Sequence, residues 1–490
     1  NWGITQFAIA NIGAIAVPVL PGFCSTELQN ILEHAEVKVI FVSRLLAKCL
    51  EGVKTPFLEH KILINNFSTI PEGCYQPEEL DKLVPDISLN NTTPLPEVSI
   101  EEEDIASIIY TSGTTGFSKG VVLTHKNLVW DARQCHTIQP VDETYRFLSI
   151  LPMAHTYENT LGLLLPLMFG AQVYYLDRVP TPKLLVPAMQ KIRPTVVLSV
   201  PLIIEKIYKS QVLPKFTSSK LMSKLYQFAP ARKLFNRLAG KKLMETFGGE
   251  LKFFGIGGSK LDGTVEQFLR EAKFPYAIGY GLTETAPMAA GSNPSQTFLQ
   301  GVGPVMEGVQ IKINDPDKSG QGEIWIKGPN VMKGYYKRPE LTAETFTEDG
   351  WFKTGDLGSF DKKNRLAIRG RIKTMILGAS GENIYPEEIE SIINNFRFVN
   401  ESLVVENSGK LVAMVHFNME ELEKQYQKLK DQAGNYKEKI NDYIEEQKQE
   451  LRDYVNARVN NFSKLQLVLV QHEPFEKTPT HKIKRFLYCK

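Results

Sequence analysis

The sequence has few cysteines, and none is spaced for a shared role. Five occur in 490 residues, without a CxxC pair or a Cys/His set at metal-ligand spacing. Neither a disulfide framework nor a structural zinc site is therefore indicated. A reducing, cytoplasmic location is expected from this use of cysteine.

Long hydrophobic runs and a signal sequence are also missing. The most apolar stretch, 161–171, contains Pro166 and is shorter than the roughly 20 residues that a membrane-spanning helix needs. The chain begins with neither an initiator Met nor the basic segment of a signal peptide. We expect no transmembrane segment, and we expect the native protein to extend further upstream.

Charge of one sign is not in excess. The 57 basic and 55 acidic residues give a formal net charge of +2. A protein that binds the backbone of nucleic acid would need a basic surplus, so we expect no nucleic-acid partner. A small anionic ligand held at one local site remains compatible with this balance.

The length of the chain exceeds what one hydrophobic core usually supports, so at least two domains are expected. Short apolar runs rich in β-branched residues lie at 37–42, 105–110, 173–176, 195–200 and 251–256. They alternate with amphipathic stretches such as 26–34 and 221–238, which predicts an α/β fold with largely buried parallel strands. Glycine-punctuated runs at 309–313 and 322–326 predict an antiparallel sheet or a small barrel.

A polar segment at 419–461 carries a stripe of apolar residues spaced alternately four and three apart. Gly434 and Asn435 would break it into two helices. The stripe is compatible with a coiled-coil surface for a partner, or with a helix pair packed on the sheet of its own domain. Only about three heptads are sustained, which favours the helix pair.

The strongest chemical signal is a loop rich in Gly, Ser and Thr that follows the apolar run at 105–110. It reads Thr-Ser-Gly-Thr-Thr-Gly at 111–116 and continues to Lys119. Glycine permits close backbone approach, hydroxyls donate hydrogen bonds and the lysine supplies charge, a combination that suits a polyphosphate. Gly120 follows the lysine, whereas a Walker A loop needs Ser or Thr there. A flexible linker is the alternative, but linkers seldom follow a buried strand.

Eight further motifs follow this loop along the chain. They are Leu-Pro-Met-Ala-His at 151–155, Gly-Ile-Gly-Gly-Ser-Lys at 255–260, Tyr-Gly-Leu-Thr-Glu-Thr at 280–285, Gly-Tyr-Tyr at 334–336, Trp-Phe-Lys-Thr-Gly-Asp at 351–356, Gly-Arg-Ile-Lys at 370–373, Gly-Glu-Asn-Ile-Tyr-Pro-Glu-Glu-Ile-Glu at 381–390 and Lys-Thr-Pro-Thr-His-Lys-Ile-Lys at 477–484. In this order, the set resembles the adenylate-forming (acyl-CoA synthetase/AMP-binding) superfamily. The resemblance is greatest to its long-chain fatty acid–CoA ligases.

The resemblance implies a mixed α/β fold in two unequal domains. A large N-terminal adenylate-forming domain would cover 1–373, with two layered α/β subdomains and a small β-barrel. A small mobile α+β C-terminal domain would cover 374–490 and rotate about a hinge at Lys373. The N-terminal edge of the large domain would be incomplete in this chain.

The resemblance also implies roles for individual residues. The nucleotide-binding residues would be Thr111, Ser112, Gly113, Thr114, Thr115, Gly116, Lys119, Gly258, Ser259, Lys260, Gly279, Tyr280, Gly281, Thr283, Asp356, Arg371 and Lys373. The catalytic residues would be Lys482, Thr283, Glu284 and His155. Thr111 and Glu284 would hold Mg²⁺, a hard cation that prefers oxygen ligands. Lys482 would bridge the substrate carboxylate and the α-phosphate.

The implied activity is a two-step ligation with ATP, a fatty acid and coenzyme A as substrates and Mg²⁺ as cofactor. The acid and ATP would give an acyl adenylate and pyrophosphate, and the thiol of coenzyme A would then displace AMP. Three alternatives stay open: transfer to an acyl-carrier protein, a different carboxylic acid, or a catalytically silent nucleotide-binding relative. A fatty substrate also makes peripheral contact with the cytoplasmic side of a membrane plausible.

The chain departs from the family pattern at three positions. Leu202 replaces an arginine in the expected acyl-site segment 188–208, His481 stands where many members have glycine, and Thr374 replaces an acidic residue beside the hinge. Bulkier residues before the adenylation lysine are common in long-chain ligases, so His481 agrees with that subfamily. The Leu202 exchange removes a cation, so the acyl chain is less closely defined than the adenylation chemistry.

Overall fold

Helices and strands alternate through most of the molecule. The computed structural model describes residues 1–85, 97–111, 118–176, 178, 180–217, 219–377, 383–407, 409–429, 436–478 and 482–489. None of the helices in these ranges combines the length and the hydropathy that crossing a bilayer requires.

The strands in these residues are β1 (Val39–Val42), β2 (His60–Leu63), β3 (Ser68–Thr69), β4 (Ile105–Thr111), β5 (Lys119–Thr124), β6 (Arg146–Ser149), β7 (Gln172–Tyr175), β8 (Val196–Ser199), β9 (Phe253–Ile256), β10 (Tyr276–Gly281), β11 (Met288–Gly291), β12 (Gln310–Asn314), β13 (Gly322–Lys327), β14 (Gly334–Tyr335), β15 (Phe352–Phe360), β16 (Leu366–Arg371), β17 (Ile376–Leu377), β18 (Asn383–Ile384), β19 (Val399–Asn407), β20 (Lys410–Phe417) and β21 (Leu467–Val470).

The α-helices in the same residues are α1 (Trp2–Asn11), α2 (Ser25–His34), α3 (Pro77–Leu80), α4 (His125–Ile138), α5 (Thr156–Glu158), α6 (Leu165–Met168), α7 (Pro182–Ile192), α8 (Pro201–Ile207), α9 (Leu213–Thr217), α10 (Lys220–Gln227), α11 (Ala229–Thr246), α12 (Gly263–Glu271), α13 (Pro339–Thr345), α14 (Pro386–Asn394), α15 (Met419–Leu429) and α16 (Tyr436–Asn456). Segments of π-helix lie at Asn159–Leu164 and Tyr208–Val212, and 3₁₀ turns lie at Thr283–Thr285 and Ile372–Thr374.

A six-stranded sheet in the order β11-β10-β9-β8-β6-β7 lies at the centre of the fold. Strands β6 to β10 pair in parallel, and β11 pairs antiparallel with β10. Alternate residues of these strands enter two separate hydrophobic cores, one on each face of the sheet. Burial on both faces explains why the strands read as continuous apolar runs, and it confirms the predicted α/β architecture.

The run at 105–110 is a strand as predicted, but it does not join the parallel sheet. It forms β4, which pairs antiparallel with β5 in a separate sheet of order β14-β5-β4. Its strand partner is antiparallel because a short connection brings the chain straight back alongside β4, and its parallel neighbour is an isolated bridge between Ala16 and Ser107. A parallel pair would need a longer crossover connection.

The predicted antiparallel layer is also present. Strands β12, β13, β15 and β16 pair antiparallel in that order. In the part of the chain that the structure describes, these strands form an open sheet rather than a closed barrel. Of the two possibilities that the sequence left open, the antiparallel sheet is therefore the one found.

The C-terminal part of the chain has hydrophobic cores of its own. Its sheet has the order β19-β20-β21, with α14, α15 and α16 packed on it. Leu422, Tyr426, Tyr443, Leu451 and Val455 from the last two helices are all buried in that core. The described members of the helical stripe, Leu422, Tyr426 and Tyr443, therefore pack on their own sheet, as the preferred interpretation proposed. The predicted break at Gly434 and Asn435 lies outside the described residues.

Candidate functional site

The phosphate-loop candidate lies between two antiparallel strands. Thr111 ends β4 and Lys119 begins β5, and the two are register partners. The connecting residues Ser112, Gly113, Thr114, Thr115 and Gly116 lie outside the described residues. The described ends of the hairpin hold the loop's first hydroxyl and its lysine side by side.

Lys119 faces the aromatic ring of Tyr335 on β14, with its Nζ 5.0 Å from the ring centroid. Burial lowers the pKa of Lys119, and the nearby positive charge of Lys373 lowers it further. Glu284 and Glu344 act in the opposite direction. Two lysines from distant parts of the chain thus lie close enough to repel each other, and a bound polyphosphate would relieve that repulsion.

The carboxylate of Asp356 lies at the centre of the second group. It accepts a hydrogen bond from the Tyr280 hydroxyl at 2.8 Å and pairs with Arg371 Nε at 3.0 Å. Burial raises the pKa of Asp356, and Arg371 and Tyr280 oppose that shift. The three residues come from β10, β15 and β16, so the contact between two sheets creates the group.

The glycines on either side of Tyr280 leave no room for a side chain. A Cβ at Gly281 would lie 1.7 Å from the Pro287 carbonyl oxygen, and one at Gly279 would lie 2.8 Å from the Met288 sulfur. Strand β11 therefore packs directly on β10 at this point. The close packing fixes the backbone that carries Tyr280 into the site.

Thr283 and Glu284 lie in the 3₁₀ turn that follows β10. Glu284 Oε1 accepts a hydrogen bond from the Tyr335 hydroxyl at 2.9 Å, and the Glu284 carbonyl accepts one from the Met332 amide. The turn is thereby held against β14 and the phosphate-loop hairpin. No signal in the sequence assigned a role to Tyr335, although it belongs to the Gly-Tyr-Tyr motif at 334–336.

Oxygen donors near this turn fit a magnesium ion held mainly by a triphosphate. The second oxygen of Glu284 and the Thr111 hydroxyl are hard donors at neighbouring elements. Among the described residues, no cluster of three or more His, Cys, Asp or Glu side chains could hold a metal alone. Mg²⁺ commonly uses one or two carboxylates together with substrate phosphates and water.

Gly258, Ser259 and Lys260 form the turn after β9, and Gly258 adopts a φ of +88° that favours glycine. The Lys260 ammonium is 2.9 Å from Glu388 Oε1 on α14. The predicted nucleotide-binding role of Lys260 remains a prediction. Its side chain contributes an ion pair between the C-terminal part of the chain and the rest, which the sequence did not indicate.

His155 caps the short helix α5 with its ring. Its Nδ1 accepts a hydrogen bond from the Tyr157 amide at 3.2 Å, so a neutral ring carries its proton on Nε2. Burial lowers the pKa of His155 to about 4, and the charge of Lys482 adds to the effect. His155 and Lys482, far apart in sequence, are therefore neighbours.

Lys482 reaches the same group of residues from the C-terminal part of the chain. Its backbone is held in a turn by Thr478, whose hydroxyl accepts from the Lys482 amide at 3.2 Å. Desolvation by the surrounding protein atoms lowers the pKa of Lys482, although the residue is still exposed to solvent. Arg371 lowers the pKa further, whereas Asp356 and Glu284 raise it. His481, beside it, lies outside the described residues.

A partly buried ion pair anchors the segment that carries Lys482. The Arg485 guanidinium donates to both carboxylate oxygens of Glu390 on α14. The same guanidinium contacts the Val404 carbonyl. The position of Lys482 thus depends on contacts within the C-terminal core. Neither the motif at 381–390 nor the motif at 477–484 revealed these contacts.

Lys373 lies in an exposed 3₁₀ turn between two tethered neighbours. Arg371 pairs with Asp356 in the large sheet assembly, and the Thr374 hydroxyl donates to Glu387 on α14 at 2.6 Å. Ile372 and Lys373 therefore lie between a residue tied to β15 and a residue tied to α14. The Glu387 contact shows what Thr374 does there, and the hinge at Lys373 remains a prediction.

Exchanging His155 for asparagine is expected to flatten the pH dependence of folding stability between about pH 4 and pH 6.5. The unfolded protein binds more protons than the folded one in this window, so wild-type stability falls as pH falls through it. The contribution is at most about 3 kcal/mol. Asparagine keeps an acceptor for the Tyr157 amide. Denaturant unfolding at neutral pH and at about pH 5 measures the difference, and an unchanged difference would contradict the assigned pKa.

Comparison with known proteins identifies a family and a shared fold. A family model described as "AMP-binding enzyme" matches residues 1–336. The peroxisomal long chain acyl-CoA synthetase 6 of Arabidopsis thaliana is 29% identical over 526 residues, covering 99% of this chain and 74% of its own. The long-chain-fatty-acid–CoA ligase heimdall of Drosophila melanogaster is 30% identical over 427 residues, covering 80% of this chain and 62% of its own.

Solved structures share the fold. MatB from Rhodopseudomonas palustris with bound ATP superposes with a TM-score of 0.73 at 20% identity, covering 99% of this chain and 85% of its own. The o-succinylbenzoate coenzyme A synthetase of Bacillus subtilis, in complex with ATP and a magnesium ion, gives a TM-score of 0.71 at 21% identity, covering 99% and 86%.

Proposed function

Because the chain belongs to the AMP-binding enzyme family, we propose that it is an ATP- and Mg²⁺-dependent ligase that joins a long-chain fatty acid to coenzyme A through an acyl adenylate. The observation that carries the proposal is the position of Lys482. It lies close enough to Asp356, Arg371 and Glu284 for their charges to shift its pKa. The names of the curated relatives support the choice of acid and acceptor.

In the first step, an oxygen of the fatty carboxylate would bond to the α-phosphorus of ATP, and the bond to the bridging oxygen of pyrophosphate would break. Both reactants are anions, so positive charge must be present where they meet. Lys482 would supply it between carboxylate and α-phosphate, and Thr283 would contact the α-phosphate. The anionic triphosphate would offset the lowering of the Lys482 pKa.

The remaining residues would bind and orient the nucleotide. Asp356 can accept from both ribose hydroxyls, with Arg371 holding the carboxylate in place. Lys119 and Thr111 would bind the triphosphate, with Glu284 beside them. Thr111, Glu284 and the phosphates would hold Mg²⁺, which would supply charge neutralisation.

In the second step, the sulfur of coenzyme A would attack the acyl carbonyl, its proton would pass to solvent, and the carbon–oxygen bond to AMP would break. Lys482 is not needed for this displacement. We propose that the C-terminal domain, 374–490, rotates about Lys373 between the two steps. The Lys260–Glu388 pair would break in that rotation.

The acyl chain would lie along 188–208 and beside the close-packed backbone of Gly279 and Gly281. Every residue of β8 is buried, whereas Leu202 in the first turn of α8 is 61% exposed. A hydrophobic pocket separates chain lengths by only about 1–3 kcal/mol per methylene. We therefore propose a range of long-chain acids rather than a single one.

The proposal is tested by release of AMP from ATP·Mg²⁺ and palmitate in the presence and absence of coenzyme A. Formation of palmitoyl-CoA with one AMP per thioester is expected. Pyrophosphate release without a thioester would instead support an acyl-carrier protein as acceptor, and activity restricted to another acid would replace the substrate. A protein that binds ATP and releases neither product would be a silent relative.

A further inference from the structure

The residues between Glu205 and Glu245 have a charge unlike that of the rest of the chain. Positions 206–244 contain ten Lys or Arg residues and no Asp or Glu, although the whole chain has a net charge of only +2. The rest of the chain is therefore net acidic. This segment includes α9, α10 and α11.

Helices α10 and α11 expose large apolar side chains in addition to this charge. Leu221, Leu225, Phe228, Leu234 and Leu238 are all exposed, three of them by more than 60%. Leu221, Leu225 and Phe228 are spaced four and then three apart, so they lie on one side of α10 and its C-terminal end. Leu234 and Leu238 are four apart and lie on one side of α11.

The opposite sides of the two helices are packed in the core. Met222, Tyr226, Phe235 and Ala239 contact the core beneath the central sheet. Gly240 lies so close to α12 that an added Cβ would be 2.6 Å from the Ala272 side chain. The core-facing residues of α10 and α11 thus fix both helices in place. The apolar side chains on their outer sides are exposed even though the helices themselves are well packed.

Basic side chains flank the exposed apolar ones. Arg237 and Lys241 each follow an exposed leucine of α11 by three positions, and Lys233 and Lys242 are exposed on the same helix. Lys224 is exposed on α10. A cleft of about 800 Å³ opens beside them. It is lined by Ser210, Gln211, Pro214, Lys215 and Lys242.

We propose that this basic–apolar face, formed by the exposed side chains of α10 and α11, docks the protein on an anionic phospholipid membrane. Leucine and phenylalanine would enter the boundary between headgroups and acyl chains, while Lys and Arg lie at the level of the lipid phosphates. A nucleic acid would match the charge but not the apolar side chains. The surface fits binding in the plane of a membrane, since neither helix is able to span one.

The location of the face relates it to the substrate. The segment 188–208, proposed to line the acyl site, leads directly into it, and exposed Leu202 lies in that segment. A docked enzyme would take its fatty acid from the membrane rather than from water. This consequence rests on the proposed function, whereas membrane binding itself does not.

The test is co-sedimentation of the full chain with vesicles of phosphatidylcholine, alone or with about 30% phosphatidylserine. Binding is expected to the mixed vesicles at about 0.1 M salt and to weaken as salt is raised. Each basic residue near the surface contributes about fivefold to the partition constant. The triple variant Lys233→Gln/Arg237→Gln/Lys241→Gln should therefore bind about a hundredfold more weakly.

Matched controls distinguish an effect of this face from an effect of the protein's overall charge or hydrophobicity. Lys318→Gln/Lys362→Gln/Lys363→Gln removes the same charge from exposed positions elsewhere and should bind like the wild type. Leu234→Ser/Leu238→Ser should weaken binding, whereas Leu45→Ser/Leu299→Ser, at other exposed leucines, should not. Circular dichroism melting confirms that each variant is folded.

Several results would overturn the proposal. Equal binding to neutral and anionic vesicles, or equal loss in both triple variants, would exclude a role for this face. Binding to duplex DNA without binding to vesicles would assign it to a polyanion. A dimer that Leu234→Ser/Leu238→Ser dissociates, with no vesicle binding by the wild type, would make it a protein interface. Each readout is independent of ligase activity, so loss of the proposed function would leave it intact.

Discussion

Replacing Lys482 with alanine is expected to abolish formation of the acyl adenylate while sparing thioester formation from a supplied acyl adenylate. Only the first step brings two anions together, and Lys482 lies beside Arg371 and Asp356, where that charge develops. Removing one positioned cation or donor from such a site costs at least about a hundredfold in rate. Pyrophosphate release measures the first step, and acyl-CoA formation from synthetic palmitoyl adenylate measures the second.

Lys484→Ala is the matched control, because it removes a lysine two positions away whose amide bonds to the Glu476 carbonyl. It should keep both half-reactions. Equal loss of both steps in Lys482→Ala would remove the assigned role, since that pattern indicates damage to the whole site. Retention of adenylation would assign the bridging charge to another residue.

Lys373→Pro is expected to have the opposite effect to Lys482→Ala. Thioester formation should be lost, and adenylation should be retained to within about tenfold. Proline holds its own φ and restricts the preceding residue, here Ile372. These are the two residues between neighbours that are each tethered by a side-chain contact, Arg371 to Asp356 and Thr374 to Glu387. Small errors in the geometry of reacting groups cost about a hundredfold, so blocked rotation should slow thioester formation by at least that factor.

Lys373→Ala is the companion variant, since it removes the side chain without restricting the backbone. It should retain thioester formation, although loss of a charge near Lys119 is expected to weaken ATP binding. Single-turnover measurements separate the two effects. Unchanged thioester formation in the proline variant would place the hinge elsewhere.

Much of the candidate site could be predicted from short motifs. Glycine-rich turns, hydroxyl-rich loops and positioned lysines follow local rules, because close backbone approach to a phosphate needs particular residues next to one another. Leucine in place of arginine at position 202 could be recognised from the local motif in the same way. Contacts between residues of distant motifs could not, and neither Tyr335 beside Glu284 nor Arg485 beside Glu390 had a local signal.

The fold was predictable to a similar extent. Apolar runs in the sequence predicted the strands, but such a pattern does not predict which strand will pair with which. Strand β4 joined an antiparallel sheet. The amphipathic stretch 221–238 became two helices that meet at Phe228, with Pro230 in the first turn of the second. Their exposed apolar sides became apparent only once the inner sides were packed.

The sequence alone determined the family and the α/β class, and it predicted the residues that bind a nucleotide, because each depends on residue type at short spacing. Tertiary structure decided which of those residues meet. Tyr280 and Asp356 are 76 positions apart and share a hydrogen bond only because two sheets pack together. Lys260 pairs with Glu388 and Lys482 lies beside His155 because the C-terminal body packs against the rest of the chain. Contacts of this kind depend on distance in space, which sequence spacing does not set.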